Sequence, residues 1–109
     1  MIDEQQGREV LKEVFEEAGY RIEEDFAFQV AGSVIYLDGY DPLHRVGYEY
    51  ITTSAGDRQD LNEEVVEELN QLNEDRLVQI LLIDEQVIAS KKELRIASQA
   101  YLQGLEDER

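Results

Sequence analysis

Cysteine and tryptophan are absent from this 109-residue chain, and proline, histidine and methionine occur once each. Without cysteine, neither a disulfide nor a thiolate metal site can form; a reducing compartment fits that absence. Zinc, which favours Cys and His ligands, is left with His44 alone. No apolar run approaches the roughly 18 residues that a spanning helix needs. The opening Met-Ile-Asp-Glu-Gln-Gln lacks the basic start and apolar stretch of a secretion signal, so a cytoplasmic location is expected. Phosphate-cradling glycine loops are also missing: the seven glycines are scattered and form neither Gly-x-Gly-x-x-Gly nor Gly-x-x-x-x-Gly-Lys-Ser/Thr. No cofactor is expected. Basic residues are scarce, with 10 Lys and Arg against 26 Asp and Glu and a formal net charge of −16. Such a surface repels phosphate backbones and anionic lipid. It excludes direct nucleic-acid or membrane binding but permits a basic protein partner.

What is present describes one globular domain. Hydrophobic residues make up 42% of the chain and charged residues 33%, and the length suffices for a core without staples. The negative charge is uneven. Residues 1–25 carry a net −6 and residues 56–75 a net −7, whereas residues 26–55 carry −2 and residues 76–109 carry −1. The acid thus concentrates on two predicted helices. Solvent-facing Glu on amphipathic helices accounts for most of it.

The first of these helices is predicted over residues 8–18, where Val10, Leu11, Val14, Phe15 and Ala18 form an apolar stripe and Gly19 ends it. Strands are predicted at 26–30, 34–38 and 46–52, from alternation and from β-branched and aromatic content. Asp60-Leu61-Asn62-Glu63 has a capping-box pattern and opens a second helix with Leu61, Val65, Val66, Leu69 and Leu72 on one face. Residues 77–83 are a nearly unbroken apolar run, which predicts a strand buried on both faces at the centre of the sheet. Ser90-Lys91-Lys92-Glu93 opens a last helix with Leu94, Ala97, Tyr101 and Leu105 inward, and residues 106–109 form a fraying tail. The order α-β-β-β-α-β-α predicts an α/β or α+β sandwich with a mixed sheet.

Residues 33–53 are the most distinctive segment. They hold four of the six tyrosines, the only proline, the only histidine and three carboxylates. Asp38-Gly39 and Asp41-Pro42 are turn dipeptides, so an antiparallel hairpin 34–52 is expected around a loop 39–45. Pairing Asp38 with Val46 would set Tyr36 against Tyr48 and Ile35 against Glu49, placing Asp38 and Glu49 on opposite faces. Tyr36, Tyr48 and Tyr50 would then share a face with Val34 and Val46. They either pack under a helix or form a recognition patch, for which tyrosine suits by its rigid contact area.

Chemistry offers one sharp option. Asp38, Asp41 and Glu49 could supply oxygen ligands to a hard cation such as Mg²⁺. The element order over residues 8–83 resembles that of the restriction-endonuclease-like fold, in which an Asp on the second strand and a Glu-x-Lys on the third bind metal. Asp38 and Glu49 stand near those positions, but residue 51 is Ile where the family has its catalytic Lys. His44 lies in no recognisable triad context. Three functions remain. The leading expectation is a non-enzymatic protein-interaction domain that uses Tyr40, Leu43, His44, Arg45, Tyr48 and Tyr50. The alternatives are a metal-dependent nuclease-like domain, inactive for want of the Lys, and an acidic decoy for a basic, nucleic-acid-binding partner.

Overall fold

The computed structural model describes residues 2–53 and 61–108. Helix α1 (Glu4–Glu17) is followed by strands β1 (Glu23–Val30), β2 (Ser33–Asp41) and β3 (Val46–Ile51). Helix α2 (Glu63–Glu74), strand β4 (Gln79–Asp84), a single 3₁₀ turn (Glu85–Val87) and helix α3 (Lys91–Asp107) complete the order. This is the expected mixed α/β arrangement. One sheet holds the strands in the order β1-β2-β3-β4; the first three are antiparallel and β4 runs parallel to β3. Among the described residues no helix is long and apolar enough to cross a membrane.

Local chemistry explains each boundary. Asp3 caps α1 by accepting from the Gln6 amide at 2.8 Å, and the Gln6 side chain answers by accepting from the Asp3 amide. Helix α1 therefore starts four residues before the apolar stripe suggested. Gly19, with φ +100°, follows its C-terminal cap as expected. Ser90 caps α3 by accepting from the Glu93 amide at 3.1 Å. Helix α2 is capped by Asn62, which accepts from the Val65 amide at 3.0 Å, rather than by Asp60, which lies outside the described residues. Ala31 and Gly32, at φ +52° and +75°, form the two-residue turn joining β1 to β2. Both central residues of such a turn must be left-handed, which matches the twist of the strands.

Two apolar clusters clamp the sheet. Helices α1 and α3 cover one side, burying Val46, Tyr48 and Tyr50 of β3 and Ile83 of β4. Helix α2 covers the other, packing Val65 and Leu69 against Ile35, Leu37, Tyr40 and Ile80.

Two expectations are corrected here. The strand predicted over 77–83 lies at the edge of the sheet, not at its centre; among the described residues it pairs only with β3. Its apolar run reflects two covered faces rather than two strand neighbours, since Ile80 packs under α2 and Ile83 under α1 and α3. The Asn73 side chain guards the exposed edge. Its amide oxygen accepts from Ile80 N–H at 2.8 Å and its amide nitrogen donates to Ile80 C=O at 3.1 Å, taking positions a further strand would need. The hairpin 34–52 forms, but Tyr40 pairs with Gly47 and Asp41 with Val46 instead of Asp38 with Val46. Asp38-Gly39 is not a turn. The strand runs on through it, and the reversal is confined to residues 42–45.

Candidate functional site

Asp41 ends β2, and its buried carboxylate organises the reversal that follows. One oxygen accepts from the amides of Leu43 (2.9 Å) and His44 (3.0 Å). The other accepts from the Arg21 amide (2.9 Å) and from Nδ1–H of the His44 ring (2.8 Å). Because an ionised carboxylate only accepts, His44 donates through Nδ1. Burial would raise the Asp41 pKa, but the hydrogen bonds from Arg21 and His44 outweigh it and hold the group below the usual carboxylate range. The Arg45 amide donates to the Asp41 carbonyl at 2.7 Å, and Arg45 itself is left-handed at φ +60°. The His44 ring stands edge-on to Tyr20 at 5.5 Å. One carboxylate thereby ties the hairpin turn to the segment that leaves α1.

This arrangement pushes Leu43 outward, where 80% of it is exposed. A cleft of about 310 Å³ lies beside it, lined by Arg21, Ile22, Glu23, Asp41, Pro42 and Leu43. His44 and Arg45 are also exposed.

The other expected interaction residues are in the core. Tyr40 is buried against Phe26 and Phe28, with ring centroids 4.8 and 5.6 Å away. Tyr48 and Tyr50 are fully buried under α1 and α3. Two glycines make room for them. A Cβ at Gly39 would lie 2.3 Å from the Tyr48 ring, and one at Gly7 would lie 2.5 Å from the Tyr50 ring. The Tyr50 hydroxyl donates to the Ile2 carbonyl at 2.8 Å. The Tyr48 hydroxyl is buried with no hydrogen-bond partner among the described residues, and burial followed by the nearby charges of Glu24 and Asp38 pushes it above the usual phenol range. Packing under helices, not recognition, is what these rings do.

Nor are the three candidate metal ligands brought together. Asp38 accepts from the Tyr50 amide at 2.8 Å and lies 3.7 Å from Nε of Arg8 on α1. Arg8 bridges onward to Asp25 at 3.0 Å; burial works against its charge, but Asp38 and Asp25 more than compensate. Glu49 alternates with Tyr48 and Tyr50 along β3, so its buried side chain takes the side of the sheet away from theirs. Asp41 is committed to the turn. Among the described residues no three His, Cys, Asp or Glu side chains converge as metal ligands would. Ile51, at the position of the family's Lys, packs into the α2 cluster. These residues do not fit the metal centre that the restriction-endonuclease-like resemblance implies.

Three features escaped the sequence pattern: the Arg8 bridge, the Asp41 clamp, and the exposure of Val34 and Tyr36. Asp-Pro signalled the turn but not the four donors that converge on Asp41. No family model, curated protein or solved structure matches the chain.

Proposed function

We propose that this chain is a non-enzymatic protein-binding domain that presents residues 42–45 to a partner. The observation that carries the reading is the Asp41 clamp. Four donors hold one carboxylate, so Leu43 and Arg45 are displayed on a turn whose conformation is set in advance. A preorganised loop loses little freedom on binding, and loops on rigid scaffolds commonly carry recognition. Arginine is enriched at interfaces, and Leu43 offers the apolar contact. Supporting the non-enzymatic reading, Asp38 and Asp41 are engaged in structural hydrogen bonds, and among the described residues neither belongs to a group of three metal-ligating side chains.

The test is quantitative capture from native lysate with the parent chain and a Leu43→Ser/Arg45→Glu variant as baits. Recovery of the specific partner should drop about tenfold, equivalent to ~1.4 kcal/mol, while the melting temperature stays unchanged. Equal recovery by both baits rejects the turn as the contact surface.

A second reading, a basic partner seated on α2, has its own observation. Glu63, Glu64, Glu67 and Glu68 are exposed and make no ion pair among the described residues. On α1, by contrast, Glu13 and Glu17 are paired with Arg95 at 2.7 and 3.3 Å. Replacing the four α2 glutamates with Gln should remove any salt-sensitive binding to a basic protein; retained binding dismisses this reading.

A further inference from the structure

The layer made by α1 and α3 covers only half of its side of the sheet. It buries β3 and β4 through Val46, Tyr48, Tyr50 and Ile83. On β1 and β2, Phe26, Phe28, Val30, Ile35 and Leu37 turn towards α2. Alternation sends Ala27, Gln29, Val34 and Tyr36 to the opposite side, where among the described residues no helix lies over them. Val34 is 51% exposed and Tyr36 65% exposed. The cross-strand pairs Ala27 with Tyr36 and Gln29 with Val34 join these four into one strip.

The strip continues into a charged cleft. Glu4, Gln5, Arg8 and Glu9 of α1 and Glu24 and Asp25 of β1 line a space of about 460 Å³. Asp25 precedes Ala27 by two residues on β1, a rise of about 6.6 Å, so apolar strip and cleft form one surface. Four carboxylates line it; Asp25, with Asp38, engages the Arg8 guanidinium, and Lys12 lies 3.4 Å from Glu24, so five carboxylates meet two cations. The charge left over is negative.

From this juxtaposition we infer a second binding surface, independent of the turn at 42–45, whose occupant is a basic amphipathic segment of another protein. Its apolar side chains lie on Val34 and Tyr36, and its Lys or Arg side chains enter the cleft beside Glu24 and Asp25. Charge selects this occupant over the others. A nucleic acid would be repelled, and a second copy of the chain would set one acidic cleft close to another.

A synthetic peptide, acetyl-Lys-Phe-Lys-Val-Lys-Phe-Lys-amide, provides the probe, with an analogue bearing Gln for every Lys as control. Titration into the isotope-labelled chain, followed by amide NMR shifts, should perturb Asp25, Ala27, Gln29, Val34 and Tyr36 together. Tyr36→Ser and Val34→Ser should each weaken the peptide about tenfold, whereas Leu43→Ser should leave it unchanged. Binding should also weaken from low to high salt. The inference is overturned by equal binding of the Gln analogue, by shifts gathered on Glu63–Glu68 of α2, by no shift at millimolar peptide, or by indifference to Tyr36→Ser. Self-association that Tyr36→Ser abolishes would give the strip to a second copy instead.

Discussion

Tyr36 and Tyr48 stand on the same side of one sheet, on neighbouring strands, and meet opposite fates. Tyr48 is fully buried beneath Phe15, its ring centroid 4.9 Å away, while Tyr36 has most of its surface in solvent. Neither local sequence nor strand position separates them. What separates them is the reach of α1 and α3, which lie over β3 and β4 and stop short of the outer part of β1 and β2. A tyrosine contributes core packing where a helix lies above it and an exposed aromatic surface where none does. The covered half is tightly specified, down to the two missing Cβ atoms at Gly7 and Gly39. Among the described residues, the open half is packed from behind by α2.

That contrast can be broken by experiment, beginning in the covered half. Gly39→Ala drives a methyl into the Tyr48 ring and should cost about 3 kcal/mol, read from urea unfolding; a loss under about 1 kcal/mol would mean that the ring is free to move. Asp41→Asn turns one of the two accepting oxygens into a donor amide, which leaves two of the four donors without an acceptor, and should cost about 2 kcal/mol at neutral pH. Its pH dependence has a definite sign. The folded carboxyl titrates below its ordinary 3.8, so its contribution is complete above that value and is lost as pH falls through the folded pKa. Thermal melts of parent and variant should therefore converge under acid conditions, and a constant gap would refute the assignment.

The paired tyrosines sharpen the comparison further. Tyr50→Phe leaves the Ile2 carbonyl without its donor and should cost about 1 kcal/mol, whereas Tyr48→Phe relieves a buried hydroxyl and should gain a similar amount. Matching losses for the two would show that Tyr48 has a partner after all. In the open half the effects shrink. Ala31→Asn suits the left-handed position of the β1–β2 turn and should raise stability by about 0.5–1 kcal/mol. Val34→Ser and Tyr36→Ser should stay within about 0.5 kcal/mol of the parent in thermal melts, because these side chains are not packed.

Much of the scaffold was legible residue by residue. Ser90 with Glu93, and Gly19 after the stripe of α1, signalled helix ends because a cap needs only a few adjacent residues. The start of α1 was harder to read. Gly7 breaks the apolar stripe, and it is buried because the ring of a residue more than forty positions away occupies the space of its side chain. Asp38-Gly39 misled for the same reason. In isolation the pair reads as a turn, yet the glycine serves Tyr48 across the sheet, and the register shifts accordingly. Strand β4 was recognisable as covered on both faces but not as an edge, since apolar patterning reports coverage and not the number of neighbours. Leu43, His44 and Arg45 were legible as turn residues, because Asp-Pro marks a reversal locally. The three tyrosines grouped with them were not separable from a surface patch without the helices.

Periodicity and capping are properties of neighbouring residues, so the order of elements, the mixed α/β class and the two acidic helices followed from the sequence by itself. Burial is a property of what lies across the fold. Which tyrosines face water, which carboxylates are committed to hydrogen bonds and which half of the sheet remains open were decided by how far α1 and α3 extend over the strands. That coverage involves contacts such as the Tyr50 ring against the bare backbone of Gly7, which form only once the chain has folded.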